Sequence, residues 1–266
     1  MTLTNRCGTA TLLTLAITAT LLSTTPAACA QSSGQGSLAE AAKQQKFVFI
    51  LFYRTNDATT QEMYKVLNAE LAARNNAAFI PVNITDPQEQ AIVEQFDASR
   101  TPMPAVMAVA PNGAITGVFA QKLTAAQVDA AIVTPAQTRC MRALQDKKLV
   151  LLCVQPTGSK DLPLGVQQFK ADKLNVNRTH LVSLQAGDPA EAKFLQQLNV
   201  RPDTQSTVTA FMAPPGVLLG TFNDKVTPSV LMTKLAAAGQ CCDDPNCKHG
   251  TPATATATAT KPTTRR

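Results

Sequence analysis

The chain has 266 residues, 45% of them hydrophobic and 16% charged, with no Trp and two Tyr. That is enough apolar material for one or two buried cores, and it excludes a chain disordered throughout. Seven Cys are too few for a disulfide-stapled miniprotein, and past residue 30 no uninterrupted apolar run reaches the roughly 18 residues of a membrane span.

The first thirty residues read as a secretory signal. Arg6 supplies the positive start, Ala10 to Leu22 is apolar, and Ala28-Cys29-Ala30 places small residues before a cut at Gln31. Two alternatives stand beside it: a retained membrane anchor, and a lipoprotein signal in which Pro26-Ala27-Ala28-Cys29 makes Cys29 a lipid anchor. All three lead out of the cytoplasm, into a compartment where disulfides are allowed. After the cut, 23 basic and 18 acidic residues leave a net charge of +5, with no membrane span in the mature chain. The charges are scattered, and no basic patch carries interleaved aromatics, so nucleic acid is not an expected partner.

From there the elements follow in order. Lys46–Tyr53 is a continuous apolar run, expected as a strand buried on both faces. Thr60–Ala73 carries Met63, Val66, Leu67 and Leu71 at helical spacing. Ala78–Ile84 is expected as a second buried strand, and Pro87–Phe96 as a helix opened by Asp86. Ala105–Ala110 and Ala114–Phe119 are strands joined by the turn signal Pro111-Asn112-Gly113, and Thr124 caps a helix running to about Val133. This order places a parallel pair first and an antiparallel hairpin last.

The same landmarks then recur. Lys46-Phe-Val-Phe-Ile-Leu returns as Lys148-Leu-Val-Leu-Leu-Cys, an offset of 102. Pro111-Asn-Gly-Ala-Ile-Thr-Gly-Val-Phe119 returns as Pro214-Pro-Gly-Val-Leu-Leu-Gly-Thr-Phe222, and Lys122-Leu-Thr as Lys225-Val-Thr, at an offset of 103. Asp86-Pro87 returns as Asp188-Pro189. A period near 100 residues is that of a domain, written twice.

The element order, with Met103-Pro104 directly before the third strand, resembles the thioredoxin fold over about residues 40–134, and again in a divergent copy over 140–239. The resemblance implies an α/β fold with two tandem thioredoxin-like domains, each a mixed sheet flanked by helices. It also implies that the residue before the third strand is a cis proline, Pro104, with Pro102 as a competitor. An X-Pro bond reaches cis at only ~0.5–1 kcal/mol. The expected boundaries are a signal peptide at 1–30, domains at 38–134 and 138–239, a Cys-rich segment at 240–250, and a disordered Thr/Ala/Pro tail at 251–266.

One motif of that family is missing. Its Cys-x-x-Cys belongs at the start of the first long helix, where the helix N-terminus lowers a thiol pKa. Here that slot reads Asp57-Ala58-Thr59-Thr60, and in the second copy Pro156-Thr157-Gly158-Ser159-Lys160. The second copy also has Ser206-Thr207 where the first has its proline. Dithiol exchange needs a thiolate, which neither slot supplies. Asp57 is then an N-cap or a functional charge at a helix start.

The cysteines of the cleaved chain sit elsewhere. Cys153 ends an apolar strand and reads as a small buried hydrophobe; Cys140 is core or a disulfide partner. Cys241, Cys242 and Cys247 precede His249, and three readings stand for that cluster. They are disulfides among these cysteines or to Cys140, a Zn or Cu(I) site with His249, and a redox role for a leftover thiol. His180 reads as a strand-end residue, and Asn83-Ile84-Thr85 and Asn177-Arg178-Thr179 are sequons.

These readings converge on an exported, redox-inactive binding or scaffold module with no cofactor. The resemblance implies a polypeptide partner held beside Tyr53, Asp57, Met103 and Pro104. The alternative is a thiol oxidoreductase or metal carrier working through Cys241, Cys242 and Cys247.

Overall fold

The computed structural model describes residues 33–239. Lobe 1 runs α1 (Ser33–Lys43), β1 (Phe47–Tyr53), α2 (Ala58–Leu71), β2 (Ala77–Asn83), α3 (Gln90–Gln95), β3 (Ala105–Val109), β4 (Ile115–Ala120) and α4 (Ala125–Ala131). Lobe 2 repeats it as α5 (Pro135–Gln145), β5 (Leu149–Gln155), α6 (Leu164–Ala171), β6 (Thr179–Gln185), α7 (Ala192–Gln197), β7 (Val208–Ala213), β8 (Val217–Phe222) and α8 (Pro228–Ala238).

Each lobe holds a four-stranded mixed sheet, ordered β2-β1-β3-β4 and β6-β5-β7-β8. In lobe 1 the β1–β2 pair is parallel, while β1–β3 and β3–β4 are antiparallel; lobe 2 repeats this pattern. β1 and β5 are buried on both faces because their side chains alternate between two cores. Phe47, Phe49 and Leu51 join α2 and α4 residues, while Val48, Ile50 and Phe52 join Ala41 and Ile92. In lobe 2, Leu151 and Cys153 lie with Val166 and Phe169, and Val150 and Leu152 with Cys140 and Phe194.

The expected helix starts are present. Thr124 and Gln127 form a capping box on α4, and Asp86 and Asp188 cap turns that open on Pro87 and Pro189. Two expectations differ. The second buried strand expected at Ala78–Ile84 is β2, whose side chains enter both cores, Ala77 and Phe79 one and Ile80 and Val82 the other, but it lies at the sheet edge, with Pro81 exposed. A residue without an N–H is tolerated at an edge. In addition, α1 begins at Ser33, ahead of 38, and α5 at Pro135, ahead of 138.

The early helix starts have a shared cause. Glu89, buried in lobe 1, accepts the Gly34 N–H at 3.1 and 3.3 Å; Glu191, buried in lobe 2, accepts the Ala136 N–H at 2.7 Å. Each carboxylate satisfies an N–H that the first turn of a helix leaves without an internal acceptor. A Cβ at Gly34 would lie 2.6 Å from Glu89 Oε2. Ala136 carries that methyl, and Glu191 Oε2 is buried without a partner.

The lobes meet through α5. Gln145 accepts the Ile115 N–H at 3.0 Å and donates to the Ile115 carbonyl at 2.7 Å, taking the place of a strand neighbour at the β4 edge. Asn112 Nδ2 donates to the Thr138 carbonyl at 2.9 Å, and Arg142 donates to the Gly113 carbonyl at 3.2 Å. Asp129 of lobe 1 pairs with Lys193 of lobe 2 and with Arg74, each at 3.3 Å. Lys193, then Arg74, hold its carboxyl below the usual carboxylate range.

Candidate functional site

β1 ends at Tyr53, and an exposed loop leads into α2. Asp57 closes this strand-to-helix corner. Its Oδ1 accepts the Thr60 N–H at 2.9 Å and its Oδ2 the Thr55 hydroxyl at 3.2 Å, while the Thr60 hydroxyl donates to the Thr55 carbonyl at 2.9 Å. The bond from the Thr60 N–H, first among these, holds the Asp57 carboxyl below its ordinary value.

This lowered value predicts a pH dependence. A carboxyl lowered on folding stabilises the folded chain above its unfolded pKa, and that contribution is lost as pH falls through the folded value. Asp57→Asn keeps a capping side chain and removes the charge. The wild type should therefore melt above the variant at neutral pH, and the gap should close below the carboxylate range. A gap independent of pH in paired thermal melts would contradict the assignment.

Across the strand end stands Pro104. The Met103–Pro104 bond is cis and Pro104 is buried. Phe52 pairs with Ala105, so Tyr53 and Pro104 lie at the same end of neighbouring strands. The side chains then part. Tyr53 packs on the core that holds Leu51 and Met63, and Met103 on the opposite core with Phe52 and Ile92. The structure thus brings Tyr53, Asp57 and Pro104 to one end of the sheet, and sends the Met103 side chain to its other face.

The equivalent corner of lobe 2 is filled by its own loop. Gln185 Nε2 donates to the Ser159 carbonyl at 2.8 Å and to Gln155 Oε1 at 3.3 Å, and Gln185 Oε1 accepts the Gly158 N–H at 2.9 Å. Gln155 and Thr207 both donate to the Asp161 carbonyl. Thr207, directly before β7, holds the position of Pro104. The loop delays α6, which has 8 residues against 14 in α2.

Among the described residues, neither corner holds sulfur. The described cysteines are Cys140 and Cys153, unpaired among the described residues and buried in lobe 2, where burial pushes their thiols up to about 12 and about 11. Cys29, Cys241, Cys242, Cys247 and His249 lie outside the described residues, as does any pairing of Cys140 with the terminal cluster. Among the described residues no three His, Cys, Asp or Glu side chains stand together as a metal group. His180 lies in β6, where burial and the nearby Lys148 lower its pKa.

A second feature of lobe 1 escaped the sequence reading. On the β2 side of Tyr53 a cleft of about 320 Å³ opens between α2 and β2. Leu51, Tyr53, Asn56, Thr60, Gln61, Tyr64, Lys65 and Pro81 line it. Its one legible signal is that both tyrosines of the chain fall in consecutive elements, Tyr53 at the end of β1 and Tyr64 within α2.

No family model and no curated protein matches this chain. Solved structures similar to it are thioredoxin-like. Thioredoxin O2 of Arabidopsis thaliana in the oxidised state is 8% identical, over 36% of this chain and 81% of that one, with a TM-score of 0.31. The disulphide isomerase of Xylella fastidiosa Temecula1 is 16% identical, over 41% and 93%, at 0.30. The first two thioredoxin domains of Saccharomyces cerevisiae Eps1p are 12% identical, over 71% and 88%, at 0.28. The chain folds as two α/β lobes of one topology, the first with a cis Met103–Pro104 bond directly before its third strand. No described helix is long and apolar enough to cross a membrane.

Proposed function

We propose that this tandem thioredoxin-like chain is an exported, redox-inactive binding or scaffold module for polypeptide. The observation that carries the reading is the state of the two corners. Asp57 caps the first where a thiolate would stand, and the loop through Ser159 and Asp161 fills the second. The described thiols, buried and strongly raised in pKa, are poor nucleophiles. The exposed loop after Tyr53, held on a rigid sheet, is the kind of surface on which binding residues sit. Export rests on Arg6, the apolar stretch after it and Ala28-Cys29-Ala30.

The test uses the processed full-length chain and a triple variant, Cys241→Ser, Cys242→Ser and Cys247→Ser. Both should capture polypeptide from the exported proteome of the source cell, and neither should reduce insulin. Insulin reduction that vanishes in the triple variant would replace this reading with a thiol oxidoreductase. Co-purifying metal that vanishes with it would make the chain a metal carrier. Capture of no polypeptide by either would remove the partner.

A further inference from the structure

We propose that the cleft between α2 and β2 of lobe 1 binds a proline-rich polypeptide segment in the polyproline II conformation. The proposal rests on the reading of the chain as a polypeptide-binding module, and names the class of segment and the place where it docks.

The walls are aromatic. The chain has two tyrosines in 266 residues, and both line this one cleft, with Pro81 beside them. Tyr64 is 43% exposed, yet its ring is held edge-on to Phe79, with centroids 5.1 Å apart and planes at 76°. An open but fixed aromatic surface is what a prolyl ring packs against, at little cost in ordering.

The polar groups narrow the ligand further. Asn56, Gln61 and Lys65 stand in the lining beside the two phenols. All five can donate a hydrogen bond, Gln61 Nε2 already reaching the Asn56 carbonyl at 3.4 Å with one of its two N–H groups, and among the described residues no carboxylate lines the cleft. Lys65 has no ion pair among the described residues. A polyproline II segment is complementary to such a set. It makes no internal hydrogen bonds, its proline residues have no N–H, and its carbonyls all need donors. Acidic residues flanking the prolines would add charge complementarity with Lys65.

Lobe 2 sharpens the assignment. In lobe 2 the strand positions of Tyr53 and Pro81 are held by Gln155 and Ser183, and α6, which starts later, carries neither Tyr nor a residue matching Lys65 at the offset of 102, where Val166 and Gln167 stand. Both rings and the cation are gone while the sheet is unchanged. The cleft is therefore a property of lobe 1 and no necessity of the fold.

The chain supplies its own probe. With no Trp, its intrinsic emission is dominated by Tyr53 and Tyr64, since Phe emits only weakly, and decaproline does not emit. Titration of the processed chain with decaproline should change the tyrosine emission saturably. Tyr53→Ala should weaken binding of fluorescein-labelled decaproline by about tenfold or more, and Tyr64→Ala likewise, as expected for a central aromatic anchor. Tyr64→Phe, which keeps the ring, should lose less than Tyr64→Ala. Circular dichroism checks that each variant folds, and the exposed Tyr64 is the safer of the two. An unchanged emission, or binding that survives Tyr64→Ala in a folded chain, overturns the proposal. So does a saturable response to chitotriose without one to decaproline. If decaproline fails while exported polypeptides are still captured, the cleft assignment falls and the binding-module reading stands; if capture fails too, both fall.

Discussion

Gly165→Ala should lower the melting temperature by several degrees, while Gly36→Ala should leave it unchanged or raise it. Both glycines lie in helices and neither has a positive φ, so the difference comes from what surrounds them. A Cβ on Gly165 would run into the Val226 carbonyl oxygen and lie 2.8 Å from its carbon and 2.9 Å from Thr227 Cα. All three are backbone atoms. They cannot yield as a side-chain tip can, because Thr227 is also the N-cap of α8 and accepts the Val230 N–H. Pushing α6 away would open the core in which Val166, Phe169 and Leu231 meet. Overpacking of this kind costs ~1–3 kcal/mol, and a β-branched residue should cost more. At Gly36 nothing lies within 4 Å of the added carbon. There the helix preference for Ala over Gly, ~0.5–1 kcal/mol, acts alone. Thermal melts of the two variants decide the matter by sign. An unchanged Gly165→Ala melt would mean that α6 and the turn into α8 do not approach this closely.

Glu191→Ala should be the second large loss. The side chain is 3% exposed and its Oε1 accepts the N–H of Ala136, which is fully buried. Removing it orphans a buried donor, at ~1–3 kcal/mol, and leaves a void where the side chain was. The damage falls on α5, which holds Gln145 against Ile115 and Arg142 against Gly113, so the joint between the lobes should loosen with it. Glu89→Ala removes the same device from α1, which has no such second duty among the described residues, and should cost less. Denaturant melts give the two losses, and hydrogen exchange at Ile115 reports the joint directly. Equal losses, with Ile115 equally protected in both variants, would show that the cap on α5 does not support the joint.

The candidate corner was legible wherever local chemistry decided it. An Asp three residues before Thr60 and ahead of a helical apolar pattern reads as an N-cap, and it is one. A proline abutting the third strand reads as the family's cis position, and the bond is cis. The missing sulfurs needed only an inspection of two short segments. The direction of each side chain was not legible. Met103 and Tyr53 looked like neighbours in a single groove, but alternation about a sheet buried on both faces sends them to opposite cores. The cleft was hidden for a related reason: Tyr64 and Pro81 come together only when α2 lies over β2.

What the chain's order of residues determined alone is the plan: two copies of one unit, a parallel pair followed by a hairpin, the caps on α2 and α4, and no thiol at either corner. These depend on neighbours a few residues apart, or on self-similarity at a fixed offset. Tertiary structure decided the rest. α1, with Gly34 and Gly36 in its first turns, has weak helical preference, and its N-terminus is held by Glu89, 55 residues away. β2 reads as a buried strand, and only the sheet order places it at the edge, where Pro81 is tolerated. The edge of β4 is closed by a glutamine 30 residues downstream. Contacts at such separations arise only once the chain has folded back on itself, and no local pattern of residues announces which side chain will arrive.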